Sequence, residues 1–251
     1  MKVSLITVCL NSEKTIRDTI KSVLNQDYKN IEYIIVDGGS TDSTLNIINE
    51  YKDKLSCLIS EPDKNLYDGI NKGLKIAKGE VIGIINSDDF YQSDSIIRSV
   101  VEIFMRNEQT EVVFGDIHYV KPKNITKTSR IYSPRNFKPW KMRFGWMPPH
   151  TGTFIKKIIY DQVGFYSLDF KIASDYEFFI RLFVLQKAKF TYLNKVILIM
   201  RSGGLSTLNL KSTWVITNEI KRACVMNGLY TNNFLLAFRF FSKFYEQYKK
   251  G

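Results

Sequence analysis

Cysteine is scarce. Cys9, Cys57 and Cys224 are the only three in 251 residues, and they are widely separated and match no metal-ligand spacing. That pattern argues against a disulfide framework and for reduced, buried thiols in a cytosolic protein. Long apolar runs are missing too. No stretch approaches the roughly 20 apolar residues of a membrane span, and the apolar part of the N-terminal MKVSLITVCLN is too short for a signal peptide. The signatures G-x-G-x-x-G and G-x-x-x-x-G-K-[ST] are absent, which removes the dinucleotide fingerprint and the Walker loop from consideration. A further shortage is local: between Ile117 and Tyr160 there is no acidic residue.

What is present is an ordinary globular composition, 44% hydrophobic and 24% charged. The chain is long enough to bury a large core as one α/β domain, with or without a small appendage. Its net charge of +11 is lopsided: residues 1–100 hold 12 basic against 15 acidic residues, leaving 24 against 10 for residues 101–251. The acid-free stretch interleaves bases such as Lys138, Lys141 and Arg143 with Phe137, Trp140, Phe144 and Trp146. Such a mixture suits single-stranded nucleic acid, an anionic membrane surface or a phosphate-bearing small molecule.

Apolar periodicity alternates strand and helix. Val3–Cys9, Ile31–Val36, Leu55–Ser60 and Val81–Ile85 are expected as strands. Ile16, Ile20, Val23 and Leu24, then Leu45, Ile48 and Tyr51, then Ile70, Leu74 and Ala77 mark the helices between them. This order predicts right-handed crossovers and a largely parallel sheet with helices on its faces.

Ligands of such sheets sit in the crevice beyond the carboxyl ends of the strands. Three polar clusters fall there: Thr7–Ser12, Asp37–Asp42 and Asn86–Asp89. Gly38 and Gly39 permit a tight turn and a close approach of backbone to ligand, although an ordinary strand-to-helix turn has the same composition. Asp88 and Asp89 end an apolar run side by side, where like charges disfavour each other's ionised form. A divalent cation, a basic cluster or solvent would relieve them.

Read in order, VSLITVCLN, VDGGSTDST, EPDKNLYDGINKGLKIAKGE, INSDD, PHTGTF and ASDYEFFIRL resemble the family 2 glycosyltransferases of the GT-A fold. The resemblance is to the bacterial branch that builds surface polysaccharides such as O-antigen, capsule and exopolysaccharide, and it runs from Val3 to about Ser206. It implies an α/β, Rossmann-like, mostly parallel sheet flanked by helices. Residues 1–206 would form the GT-A domain, with a nucleotide-sugar half at 1–100 and an acceptor half at 101–206, and residues 207–251 a C-terminal helical extension. An inverting enzyme that uses a nucleotide-diphosphate sugar, UDP-linked, with Mn²⁺ or Mg²⁺ is implied as well.

Site residues carry over from the resemblance as follows. NSDD corresponds to the DxD-type motif, with Asp89 as metal ligand and Asp88 bonded to the donor's ribose or near the metal. Hard carboxylate oxygens suit a cation that neutralises a leaving diphosphate. Asp37 would accept the uracil N3–H, or else cap the following helix, and Thr7 and Val8 would offer backbone groups to the base. Asn11, Gly39, Asp68 and Lys72 would line the donor pocket. His150 would touch the metal or the diphosphate, or be structural.

Asp175 matches the family's base, which takes the proton of the attacking acceptor hydroxyl; it precedes a helix expected over Tyr176–Leu185, so a helix cap is the alternative, and Glu177 is the reserve. Ser174 departs from the family's usual Glu. The chain lacks the Q-x-x-R-W motif of processive members, so one sugar or a few are expected on a discrete acceptor. That acceptor would be a saccharide or polyprenyl-diphosphate-linked molecule meeting Lys138, Trp140, Arg143 and Trp146. No nucleic-acid partner is expected.

After Ser206 the pattern is helical, with Leu210–Asn227 closed by Gly228. An aromatic stripe follows: Phe234, Phe238, Phe241, Phe244, Tyr245 and Tyr248. With its basic flanks it would lie on the cytosolic face of the inner membrane or pack on its own domain. A non-catalytic nucleotide-fold module that holds nucleic acid or anionic membrane is the competing function.

Overall fold

The computed structural model describes residues 1–203 and 210–239. The expected domain end at Ser206 and the stripe positions Phe241, Phe244, Tyr245 and Tyr248 lie outside the described residues. Every residue of β1 (Val3–Cys9) is buried, Ser4 and Thr7 included, as in a strand covered on both faces. It runs parallel to β2 (Ile31–Asp37) and β4 (Val81–Asn86), with β3 (Cys57–Ser60) parallel and outside β2. Helices α1 (Ile16–Leu24), α2 (Thr44–Asn49) and α3 (Leu66–Ile76) make the crossovers.

The chain continues through β5 (Phe90–Tyr91), α4 (Ile96–Arg106), β6 (Val112–Lys121), β7 (Asn124–Tyr132), β8 (Thr153–Lys156), α5 (Lys157–Val163), α6 (Ser174–Ile180), β9 (Phe190–Arg201) and α7 (Leu210–Met226). All strands join one sheet in the order β3-β2-β1-β4-β8-β6-β9-β5, with β7 on β6. Parallel pairing governs the nucleotide half. Beyond β4 the sheet is mixed, because β8 runs antiparallel to both β4 and β6 while β9 is parallel to β6.

The two faces bury separate cores. One packs α3, α5, α6 and α7 on the sheet through residues such as Ile70, Tyr160, Phe178 and Cys224; the other packs α1, α2 and α4 through Ile20, Ile48 and Val100. The described part of the C-terminal extension is therefore part of the domain core. Its helix α7 ends as expected: Gly228, at φ +68°, follows Asn227, and Leu229 N donates to Cys224 O at 2.9 Å.

Three expectations shift. β3 starts at Cys57 because a 3-10 turn over Lys52–Lys54 precedes it, and on this sheet edge Cys57 is only half-buried. The helix expected over Tyr176–Leu185 becomes α6 followed by a π-turn, Arg181–Leu185. Thr7 sits in the ladder opposite Ile35 and Ile85, its hydroxyl 3.0 Å from Tyr33 Oη and fully buried. It lines the interior of the sheet, and the backbone groups expected of it for the base are used by strand pairing.

Candidate active site

The carboxyl ends of β1, β2 and β4 lie side by side along one edge of the sheet, where ligands of such sheets bind. Asp37, last in β2, is fully buried and accepts from Ser40 N at 3.2 Å, Ser40 Oγ at 2.5 Å and Ser60 Oγ at 2.8 Å. These bonds close the turn through Gly39, whose φ of +84° favours glycine. Asn11 ties that turn to the end of β1. Its N–H donates to Ser40 Oγ at 2.8 Å and its Oδ1 accepts from Thr41 N at 2.9 Å.

Val8 meets α3 at Gly69, where an added Cβ would stand 2.7 Å from Val8 Cγ1 and 2.6 Å from Asp63 Oδ2. Asp63 thus lies wedged between the glycine turn and α3. Burial raises the pKa of its carboxyl, and Lys72, with Nζ 2.6 Å from Oδ1, opposes that shift. Lys72 also lies 2.9 Å from Glu61, while Asp68 accepts from Lys64 N at 3.0 Å in the first turn of α3. Both residues expected in the donor pocket therefore brace the loop after β3, and Asp63 is the carboxylate between them and Gly38.

Asp89, beyond β4, differs from all of these. It is fully buried; the Arg201 amide and the Asn86 side chain approach its carboxylate, but among the described residues neither oxygen has a partner at full hydrogen-bond geometry. Burial, then the charge of Asp88, pushes its pKa well above the usual carboxylate range, while Arg201 opposes the shift. Asp88 is half-buried and its pKa is also raised by burial. Backbone bonds fix the loop: Thr19 Oγ1 donates to Asp89 O and Arg201 Nη1 to Asp88 O, both at 2.6 Å. Arg201 is anchored in turn on Asp18 and lies over the Phe90 ring.

A buried carboxylate whose two oxygens lack a full hydrogen bond fits a hard divalent cation. No group of three or more His, Cys, Asp or Glu among the described residues could hold one alone. Mg²⁺-type sites commonly complete their shell with waters and substrate phosphates, so Asp89 suits a cation shared with a diphosphate. His150 is seated elsewhere in the contact network, its Nε2 2.9 Å from Tyr166 Oη and its ring beside Phe179. Burial lowers its pKa to about 4, so the ring is neutral at pH 7.

Asp175 opens α6. Its Oδ1 accepts from Tyr176 N at 2.8 Å and from Tyr67 Oη at 3.2 Å, which links it to the first turn of α3. Burial pushes its pKa up to about 6, with repulsion from Glu219 adding to the shift. Glu219, on α7, accepts from three consecutive amides, Lys171 N at 2.8 Å, Ile172 N at 2.9 Å and Ala173 N at 3.0 Å, and so fixes the turn that delivers Asp175. Glu177 is already engaged. Arg181 clamps it through two bonds of 2.8 Å and Asn227 adds a third. Ser174 donates to Ser167 O at 2.6 Å, holding the same turn.

Glu219→Gln should therefore shift the acid limb of kcat/KM to lower pH, because a charge that raises Asp175 is gone. It should also cost about 1–3 kcal/mol of stability, the scale of a weakened charge-assisted hydrogen bond. A pH–rate profile beside a urea melt checks both; a limb that stays in place would separate Glu219 from Asp175.

Of the acceptor-region residues, Trp140 is exposed on a short 3-10 turn, Pro139–Phe144, and Lys141 Nζ lies 5.9 Å from its ring centroid and 5.3 Å from that of Trp146. Lys138 is exposed and Arg143 half-buried. Tyr176 Oη bonds Met142 O and Thr231 Oγ1 bonds Arg143 O, so the turn hangs between α6 and the C-terminal extension. Asp63, Tyr67, Arg201 and Glu219 escape sequence reasoning. The first two lie inside EPDKNLYDG, where the motif was the available signal. Arg201 and Glu219 act on partners 113 and 47 residues away and carry no local signal.

These carboxylates stand on an α/β enzyme-type scaffold, a mixed sheet whose half around β1, β2 and β4 is parallel and flanked by helices. The family model for glycosyl transferase family 2 matches residues 4–171, and the chain belongs to that family. It is 30% identical over 223 residues, 87% of this chain and 85% of the relative, to the Escherichia coli UDP-Glc:alpha-D-GlcNAc-diphosphoundecaprenol beta-1,3-glucosyltransferase WfaP. An uncharacterized glycosyltransferase of Mycobacterium tuberculosis, Rv1514c, is 29% identical over 181 residues, 71% of this chain and 68% of the relative.

Among solved structures, Staphylococcus aureus TarS 1-349 in complex with UDP-GlcNAc superposes with a TM-score of 0.68 at 20% identity, covering 90% of this chain and 67% of that one. Glucosyl-3-phosphoglycerate synthase from M. tuberculosis, in complex with Mn²⁺, UDP and phosphoglyceric acid, gives 0.62 at 18% identity, covering 88% and 78%. Both likenesses establish the GT-A fold.

Proposed function

We propose that this glycosyltransferase moves one sugar, or a few, with inversion from a UDP-sugar to a saccharide or polyprenyl-diphosphate-linked acceptor. It would do so at the cytosolic face of the inner membrane, in surface-polysaccharide synthesis. The observation that carries the reading is Asp89: a fully buried carboxylate beyond a strand end, whose burial the Arg201 amide and Asn86 do not offset, suits a cation held jointly with a diphosphate. The name of WfaP, a relative that uses UDP-Glc and a diphosphoundecaprenol-linked acceptor, supports the donor and acceptor classes.

In this mechanism Asp37 and Asn11 shape the base-binding end of the crevice, and Asp88 faces the ribose. Bound Mn²⁺ or Mg²⁺ supplies positive charge to the departing diphosphate. Asp175, held by Tyr67 and the Tyr176 amide, takes the proton of the acceptor hydroxyl as that oxygen attacks the anomeric carbon from the face opposite UDP. Its raised pKa keeps it ionised at neutral pH yet basic enough to accept a proton. A purely binding module has no use for such a group. Thermal melting with UDP tests the reading. UDP at a hundred times its Kd should stabilise the protein by about 2.7 kcal/mol, and should need Mn²⁺ or Mg²⁺ to do so; stabilisation indifferent to metal would count against it.

A further inference from the structure

Two aromatic segments, the basic 138–146 and the acid-free 230–239, come together in the fold. Trp140 and Phe144 meet edge to face with centroids 5.9 Å apart, Phe144 meets Phe238 at 5.9 Å, and Phe238 meets Phe234 at 5.4 Å. The outer members of this ladder are open to solvent: Trp140 is 53% exposed, Phe234 73% and Phe238 46%, with Tyr230 beside them in sequence at 68%. Three large exposed aromatics joined in one ladder exceed the scattered apolar residues of an ordinary exterior and mark an interaction site.

Its charge is one-sided. Lys138 and Lys141 belong to a stretch with no acid from Ile117 to Tyr160, and between Phe178 and Arg239 the single acidic residue is Glu219. The Glu219 carboxylate is turned onto the amides of residues 171–173.

We propose that this ladder, rimmed by Lys138 and Lys141, is the surface by which the protein seats itself on an anionic lipid bilayer. Amphipathic aromatics settle at the headgroup level and lysines meet anionic headgroups there. No helix among the described residues is long and apolar enough to cross the membrane, so attachment is peripheral and reversible. The patch hangs from α6 through the bond of Tyr176 Oη to Met142 O, one residue from Asp175. A membrane bound there brings a lipid-linked acceptor toward the base. The assignment rests on the lipid-linked acceptor class of the proposed function only for its purpose, and the two fail separately.

The test is co-sedimentation of the full chain with phosphatidylcholine vesicles, with and without phosphatidylglycerol, across a salt series. Truncation is unsuitable because Leu229 and Leu236 are core residues, so point variants are used, each checked by its melting temperature. Wild type should bind anionic vesicles, more weakly at high salt. Phe234→Ser with Trp140→Ser should lower partitioning at least tenfold at every salt concentration. Lys138→Gln with Lys141→Gln should lower it about fivefold per charge at low salt, and only there.

Wild-type binding by Phe234→Ser/Trp140→Ser, equal affinity for neutral and anionic vesicles, or tighter binding to a single-stranded oligonucleotide than to anionic vesicles would each overturn the proposal. UDP release from a UDP-sugar without vesicles, measured on the same preparation, reports on the transferase reading alone.

Discussion

Asp175→Asn is expected to lower kcat by about 10²- to 10⁴-fold with little change in UDP-sugar affinity. Asn keeps the shape and an oxygen acceptor for Tyr176 N and Tyr67 Oη, so the loop should hold its geometry; what disappears is the ability to take a proton. In the wild type the same group predicts the pH dependence. With a carboxyl whose pKa is pushed up to about 6, kcat/KM should fall as pH drops through about 6, because the protonated acid cannot act as base. Steady-state kinetics on the two proteins across pH 5–8 check this. A Glu177→Gln enzyme that is dead while Asp175→Asn still turns over would move the base to Glu177, against the clamp of Arg181 and Asn227.

The second large effect combines function with stability. Asp89→Asn should abolish turnover and the metal-dependent part of UDP affinity, since a neutral amide is a poor ligand for a hard cation. It should also change how metal-free stability depends on pH. The folded-state pKa of Asp89 is raised well above its ordinary value by burial and by Asp88. Its stabilising contribution is therefore complete below the unfolded pKa and is lost as pH rises through the folded one. In EDTA, wild type should lose stability relative to Asp89→Asn on going from acid to neutral pH, and UDP with Mn²⁺ should restore it in wild type alone. Parallel pH profiles for the two proteins would mean that Asp89 carries no stranded charge.

Much of the nucleotide half is legible in the sequence because its determinants are local. Buried parallel strands are mostly apolar runs, and Val3–Cys9 and Ile31–Asp37 lead into the polar clusters that follow them at their carboxyl ends. The second half is harder to read. The pairing of β8 with both β4 and β6, and of β9 with β6 and β5, joins segments far apart in the chain and in mixed directions, so periodicity carries no sign of direction or order.

Site residues divide in the same way. Asp88 and Asp89 announce themselves as adjacent charges after an apolar run, and Asp175 through its motif. Glu219 and Arg201 are single polar residues whose meaning lies in partners far along the chain. Lys72 and Asp68 show the opposite case, in which residues that look like ligands in sequence are engaged with Glu61, Asp63 and the Lys64 amide. The basic-aromatic segment before Trp146 and the aromatic stripe at Phe234 and Phe238 are each visible alone; that Phe144 touches Phe238 is a property of the fold.

The central claim is tested most directly by following UDP release when the full chain is given a panel of UDP-sugars without acceptor, first with Mn²⁺ and then with EDTA. Slow transfer to water should release UDP from at least one donor, stop on chelation, and be undetectable for Asp89→Asn. Release that continues unchanged in EDTA, or no release from any donor under conditions where UDP and Mn²⁺ together stabilise the protein, would contradict it.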